Sequence, residues 1–176
     1  MAIYDVYADA GKYGDLAVVI YKEESELFRD TIKRDVQKSH NEYEYHAVIY
    51  ALEECLPQVV KIWHEGDKVV LHSDSQLIVN QIIGKYKCQS DKLRRCKNQL
   101  LELQKDYATR EIVLNFIWIP RERNPAGWIL ESKKKFKVRE DLLDLTVTYQ
   151  VIKDRIEKFR KLGKESFTVK ELLRES

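Results

Sequence analysis

The sequence predicts an α/β domain, a mixed sheet with helices, on three observations. Short strand-like runs crowd the N-terminal third, further apolar runs of strand length recur between helical patterns, and turn-forming residues punctuate the joins. The stretches "AIYDVYAD", "DLAVVIYKE" and "SELFRDTIK" alternate around short polar joints at 12–14 and 23–25, so they read as three consecutive strands of a meander. Asn41 is placed to cap a helix running to about Leu56, because Glu44, Val48, Ala51 and Cys55 recur on one face at helical spacing. After Gly66, "KVVLHSD" has strand length, and "SQLIVNQIIG" reads as a short helix closed by Gly84. Residues 89–107 continue as a polar helix with Leu93, Leu100, Leu103 and Tyr107 as its packing stripe. "EIVLNFIWI" is a fifth strand, stopped by Pro120. The expected order is βββαβααβα.

Beyond this the register changes. Val138, Leu142, Leu145, Tyr149, Ile152, Ile156 and Phe159 alternate spacings of four and three, the seam of one long amphipathic helix that Gly163 breaks. "SFTVKELLRES" reads as a short capped helix after it. The expected division is therefore a domain over 1–132 and a basic helical extension over 133–176. The seam suits packing against the domain or a homodimer partner, with nucleic-acid contact by its basic face as the alternative.

At 176 residues, with 44% hydrophobic and 34% charged side chains and only three prolines and six glycines, the chain can bury a core and is not a disordered one. It opens without a basic stretch followed by an apolar one, and no run of about 18 apolar residues occurs, so neither secretion nor a membrane span is expected. Three cysteines, Cys55, Cys88 and Cys96, without C-x-x-C spacing argue against a disulfide framework or a structural zinc site and for a reduced, cytoplasmic setting. Residues 133–176 carry thirteen basic against eight acidic side chains, whereas the rest of the chain is slightly acidic. Such an excess hints at a polyanionic partner.

Two of the expected strands end on an aspartate. Asp5, Tyr7 and Asp9 share one face of the first strand, with Asp9 nearest its exit, and Asp74 stands at the tip of "KVVLHSD". If the two strands are neighbours, the two carboxylates face each other beyond the sheet, where open α/β sheets place reactive groups. Glu44 lies on the apolar stripe of its helix and should point inward. Three inward acids repel one another and are costly to desolvate unless cations join them, and a hard divalent ion such as Mg²⁺ resolves that most simply. Each acid also has an ordinary reading: Asp74 as a helix cap, Glu44 as a complement to a helix N-terminus, Asp9 as a cap for the turn into "AGKYG".

The set "VYADA", "HNEYEYHAVIYALE" and "HSDSQLIVNQIIGKYK" resembles type 1 ribonuclease H, particularly its short archaeal and plant-like forms, over residues 3–131. The resemblance implies a ribonuclease H-like five-stranded sheet with helices on both faces. It also implies a metal-dependent endonuclease that hydrolyses the RNA strand of an RNA/DNA hybrid. Asp9, Glu44 and Asp74 would then be catalytic ligands for two Mg²⁺ ions, with Mn²⁺ as the alternative, and Asn41 and Gln76 would hydrogen-bond the hybrid near the cut. Ser75, Asn80, Lys85, Lys87, Arg121 and Asn124 are further expected substrate contacts, and so are Lys133, Lys134 and Lys135 in "SKKKFKVR".

The chain departs from that family where a fourth acid should open the last helix. The family phrase R-E-x-N-x-x-A-D is met by "RERNPAGWILE", with Gly127 in the acid's place and no histidine in the preceding loop. Two expectations compete. Either Glu131, one helical turn beyond Gly127, supplies the fourth acid and ligand, with Asp141 or Asp144 as minor candidates, or the domain is a weakened or inactive nucleic-acid-binding or interaction module.

Overall fold

The structure, a computed structural model, describes residues 1–34 and 38–133. Within it, Met1–Glu131 form one compact unit. The seam over 138–159, Lys134, Lys135, Asp141 and Asp144 lie outside the described residues.

Three antiparallel strands open the chain as expected: β1 (Ile3–Ala10), β2 (Asp15–Lys22) and β3 (Ser25–Lys33). Leu16 to Ile20 of β2 are buried on both faces, so this strand reads as a continuous apolar run. The β1–β2 turn needs its glycine. Gly14 has φ +85°, and a Cβ there would lie 2.4 Å from the Arg34 carbonyl oxygen. The β2–β3 turn uses Glu23 and Glu24, both left-handed, as a two-residue hairpin of this twist demands.

β4 (Lys68–Ser73) runs parallel to β1, and β5 (Val113–Trp118) parallel to β4. The sheet order is β3-β2-β1-β4-β5, a mixed sheet with β1 at its centre. Crossovers are helical. α1 spans His40–Tyr50, and the stripe Val48, Ala51 and Cys55 runs from it into the turn beyond, all within the main core, where Tyr45, Leu52, Leu71, Ile78 and Leu100 are also fully buried. α3 (Gln76–Ile82) follows β4, and α4 (Asp91–Thr109), capped by Ser90, packs through Leu93, Leu100, Leu103 and Tyr107. The opposite face of the sheet is met by a helix over residues 125–133, whose Ala126 and Leu130 bury Ala17 and Val19.

Two local expectations are corrected. The cap of α1 is Ser39, not Asn41: its hydroxyl accepts from the Glu42 N–H while the Glu42 carboxylate accepts from the Ser39 N–H, a reciprocal capping box. The helix expected to reach Leu56 unbroken ends at Tyr50, widens into a π-helical turn over Ala51–Cys55 and resumes as α2 (Leu56–Val59). Pro57 supplies the reason. It has no N–H for the carbonyl four residues back, and its ring needs the room that a wider turn provides.

Because the capping box starts the helix that carries Glu44, Ser39→Ala should destabilise the protein by about 1 kcal/mol. Urea unfolding reads this as a lower midpoint at constant slope.

Candidate active site

The parallel pairing of β1 and β4 sets the site. Ile3 lies beside Lys68 and Tyr7 beside His72, and at the same offset Asp9, still in β1, falls level with Asp74, just past the end of β4. Asp9 is 4% exposed. Its Oδ1 accepts from the Ala10 N–H at 2.8 Å, but its buried Oδ2 has no hydrogen-bond partner. Asp74 does not cap α3; that position belongs to Ser75, whose side chain makes no cap bond. Instead Asp74 Oδ1 accepts from the Asn124 amide at 3.0 Å, and its Oδ2 lies 4.0 Å from an Arg121 guanidinium nitrogen.

Glu44 points inward from α1, with its side chain 15% exposed. It lies 3.0 Å from His40 Nε2 and accepts from the Ser75 hydroxyl. His40 was not singled out in the sequence, although a histidine four residues before an inward glutamate is a readable helical pair. Burial pushes the Asp9 carboxyl up to about 7, helped by the Asp74 charge and, more weakly, Glu44, against the opposing pull of the Ala10 N–H and Arg121. Burial likewise raises Glu44, with Asp74 adding to it, while Ser75, His40 and Arg121 work the other way. The three acids therefore sense one another electrostatically.

Gly127 sits directly over this group. A Cβ built on it would stand 3.1 Å from Asp9 Oδ2, so glycine leaves that oxygen room. Glu131 lies further along the same helix, exposed, with Oε1 3.2 Å from Arg121 Nε. Arg121 thus reaches both Glu131 and Asp74, and these acids hold its guanidinium above its ordinary pKa, Glu131 foremost. Asn124, expected among the substrate contacts, is fully buried: its amide also donates to the Ala8 carbonyl at 3.2 Å, and its Oδ1 accepts from the Ala126 N–H. Its place is beneath Asp74, tying both strand ends to the last helix.

The other sequence candidates spread outward. Ser75 is buried against Glu44, Asn41 and Asn80 are half-buried, and Gln76, Lys85, Lys87, Arg121 and Lys133 are exposed. Among the described residues, no three His, Cys, Asp or Glu side chains are arranged to hold a metal ion as they stand. The donor chemistry nevertheless suits a hard cation: oxygen ligands only, mutual repulsion, and one buried carboxylate oxygen lacking a partner.

Sheet order, crossovers and the acids at the ends of the central strands define a ribonuclease H-like fold. Residues 4–128 match the family model described as reverse transcriptase-like, and the chain belongs to that family. Its structural relatives include type 1 ribonucleases H. LC11-RNase H1, solved in complex with an RNA/DNA hybrid, is 27% identical with a TM-score of 0.56, covering 71% of this chain and 89% of that one. RNase H1 from the archaeon Halobacterium salinarum NRC-1 is 25% identical with a TM-score of 0.53 over the same shares, 71% and 89%. The N-terminal RNase H domain of a Mycobacterium tuberculosis protein, 23% identical with a TM-score of 0.54 over 70% and 86%, shares the fold. No curated protein matches the chain.

The Asp9 geometry predicts an unusual pH dependence. Folded Asp9 keeps its proton up to about 7, whereas an unfolded aspartate releases it near 3.8. Between those values the folded state binds more protons, so stability falls as pH rises through the window and is lowest above it. The metal-free protein should melt at a lower temperature at about pH 8 than at about pH 5, and Asp9→Asn should flatten that slope and stabilise the protein at the higher pH. Differential scanning calorimetry of both proteins, with and without Mg²⁺, checks this; Mg²⁺ should restore wild-type stability at the higher pH.

Proposed function

We propose that this chain is a metal-dependent endonuclease that hydrolyses the RNA strand of RNA/DNA hybrids. The observation that carries the proposal is the convergence of Asp9, Glu44 and Asp74 from three separate elements, with Asp9 Oδ2 buried and unpartnered. A cluster built only for stability would pair such charges or dispense with them. Membership of the reverse transcriptase-like family, and the likeness to an RNase H1 solved with a hybrid, support the substrate class.

In this reading Asp9, Glu44 and Asp74 hold two divalent ions, Mg²⁺ or Mn²⁺, and Glu131 supplies the fourth carboxylate. Bound there, the ions supply Lewis-acid activation of the attacking water and of the leaving 3′ oxygen. The chain's own part is positional. Asn124 keeps Asp74 at the tip of β4, and Ser75 and His40 orient Glu44. Arg121 places a cation between Asp74 and Glu131, where it offsets carboxylate repulsion and is available to a backbone phosphate. Lys85, Lys87 and Lys133 are exposed cations suited to backbone phosphates, Asn41 and Gln76 to groups near the cut, and the RNA strand is distinguished by its 2′-hydroxyl.

Gly127 favours a second reading, a binding module with a weakened or lost cleavage step, because no carboxylate stands where it lies against Asp9. One assay separates the two: cleavage of a labelled hybrid in Mg²⁺ and in Mn²⁺, with single-stranded RNA, RNA duplex and DNA duplex as controls. The nuclease reading expects hybrid-specific, metal-dependent cutting that Asp74→Asn abolishes. Binding without cutting in either metal overturns it in favour of the module. Within the nuclease reading, Glu131→Gln should lower kcat on the order of 10²-fold with an unchanged melting temperature, the scale seen when groups supporting a metal site are removed. Unchanged cleavage excludes Glu131.

A further inference from the structure

Arg121 opens the short turn Arg121–Arg123 that follows β5, and its guanidinium faces two acids at once. Its Nε lies 3.2 Å from Glu131 Oε1, and a terminal nitrogen lies 4.0 Å from Asp74 Oδ2. Its charge also works against the raised pKa values of Asp9 and Glu44. One side chain therefore answers to four carboxylates, carried by β1, α1, the end of β4 and the last helix. The contacts are those of a displaceable counter-ion and not of a structural bridge. The Arg121 side chain is 52% exposed against 11% for Asp74, and neither contact is a close two-pronged pair. A half-exposed guanidinium contributes little by holding such contacts and loses little by leaving them. The Asn124 amide, not Arg121, makes the hydrogen bond that ties Asp74 to the last helix, so the strand end stays in place when the arginine moves.

A divalent ion shared by Asp74 and Glu131 needs the oxygens that now face the guanidinium, and two cations held by the same oxygens repel each other. We propose that Arg121 stands in for the second of the two ions in the metal-free protein, and holds that ion off until a backbone phosphate draws the guanidinium away. The inference rests on the nuclease reading above, which supplies both the ions and the phosphate. By linkage, the hybrid and the second ion then favour each other's binding, so the site is fully loaded only with its substrate in place.

The test is isothermal titration calorimetry of the full chain with Mg²⁺ and with Mn²⁺, in the absence of nucleic acid. Wild type should take up one ion per chain over a concentration range in which Arg121→Gln takes up two, the second gaining on the order of tenfold in affinity. Arg123→Gln, which removes a like charge from the same turn, should bind ions as wild type does. Arg121→Lys, which keeps the charge without the planar fork, should fall between wild type and Arg121→Gln. Melting gives a second readout. In EDTA, Arg121→Gln should melt below wild type, and Mg²⁺ should close the gap, whereas the loss of a merely structural contact leaves it open. No ion uptake by either protein, an equal or weaker second ion in Arg121→Gln, an equal gain in Arg123→Gln, or a melting gap that Mg²⁺ leaves in place overturns the inference. Cleavage of the hybrid in Mg²⁺ is read separately. A protein that cuts the hybrid but binds ions no differently from Arg121→Gln loses this inference and keeps the nuclease reading. One that exchanges Arg121 for an ion but cuts nothing loses that reading and keeps the exchange.

Discussion

The parallel pairing of β1 with β4 is the constraint on which the rest of the structure depends. It places two aspartates side by side at the end of the sheet, where their carboxylates repel each other and one oxygen of Asp9 lacks a hydrogen-bond partner. Almost everything nearby is a response to that repulsion. Asn124 donates to one aspartate, Arg121 approaches the same one, and His40 and Ser75 hold the third acid from α1. The fold keeps a local electrostatic disadvantage and compensates with a large apolar core under α1, α3 and α4. Tension of this kind, retained at one place in an otherwise well-satisfied molecule, is what a reactive site requires.

The fold was readable from the sequence because its elements are locally consistent. The three N-terminal strands alternate cleanly, the stripe through Val48, Ala51 and Cys55 has helical period, and the packing positions of α4 fall at Leu93, Leu100, Leu103 and Tyr107. Misplaced details were those decided by short-range competition. Ser39 and Asn41 are both good caps and each has a glutamate three residues on, so the pattern alone does not choose between them; the structure turns Glu42 back onto Ser39 and Glu44 inward. Pro57 sits within a helical pattern, and the pattern alone does not show that the chain meets it by widening into a π-helical turn over Ala51–Cys55 instead of stopping.

The acids were readable one by one from the residue pattern, but their company came only from the family resemblance. Periodicity shows that Glu44 faces inward, yet nothing in a linear pattern says that β1 lies against β4 and not another strand. Asn124 illustrates the converse. Its motif makes it look like a surface contact, whereas its three hydrogen bonds are all internal and its exposure is nil. Trp118 shows the same limit: a tryptophan at a strand end is ordinarily core, and only its 46% exposure shows that the ring is open to solvent.

Gly127 has one further consequence. The helix bearing it lies so near Asp9 that the position is filled, in effect, by that aspartate's own oxygen. An acid introduced there by mutation would not be a simple addition, because its first carbon would already press on the group it was meant to assist. Asp9 or the helix would have to give by a few tenths of an ångström, against the Asn124 bridge and the packing of Ala126 and Leu130 on the sheet. The glycine thus sets a clearance at the site: any side chain placed there must share its space with the very oxygen it would assist.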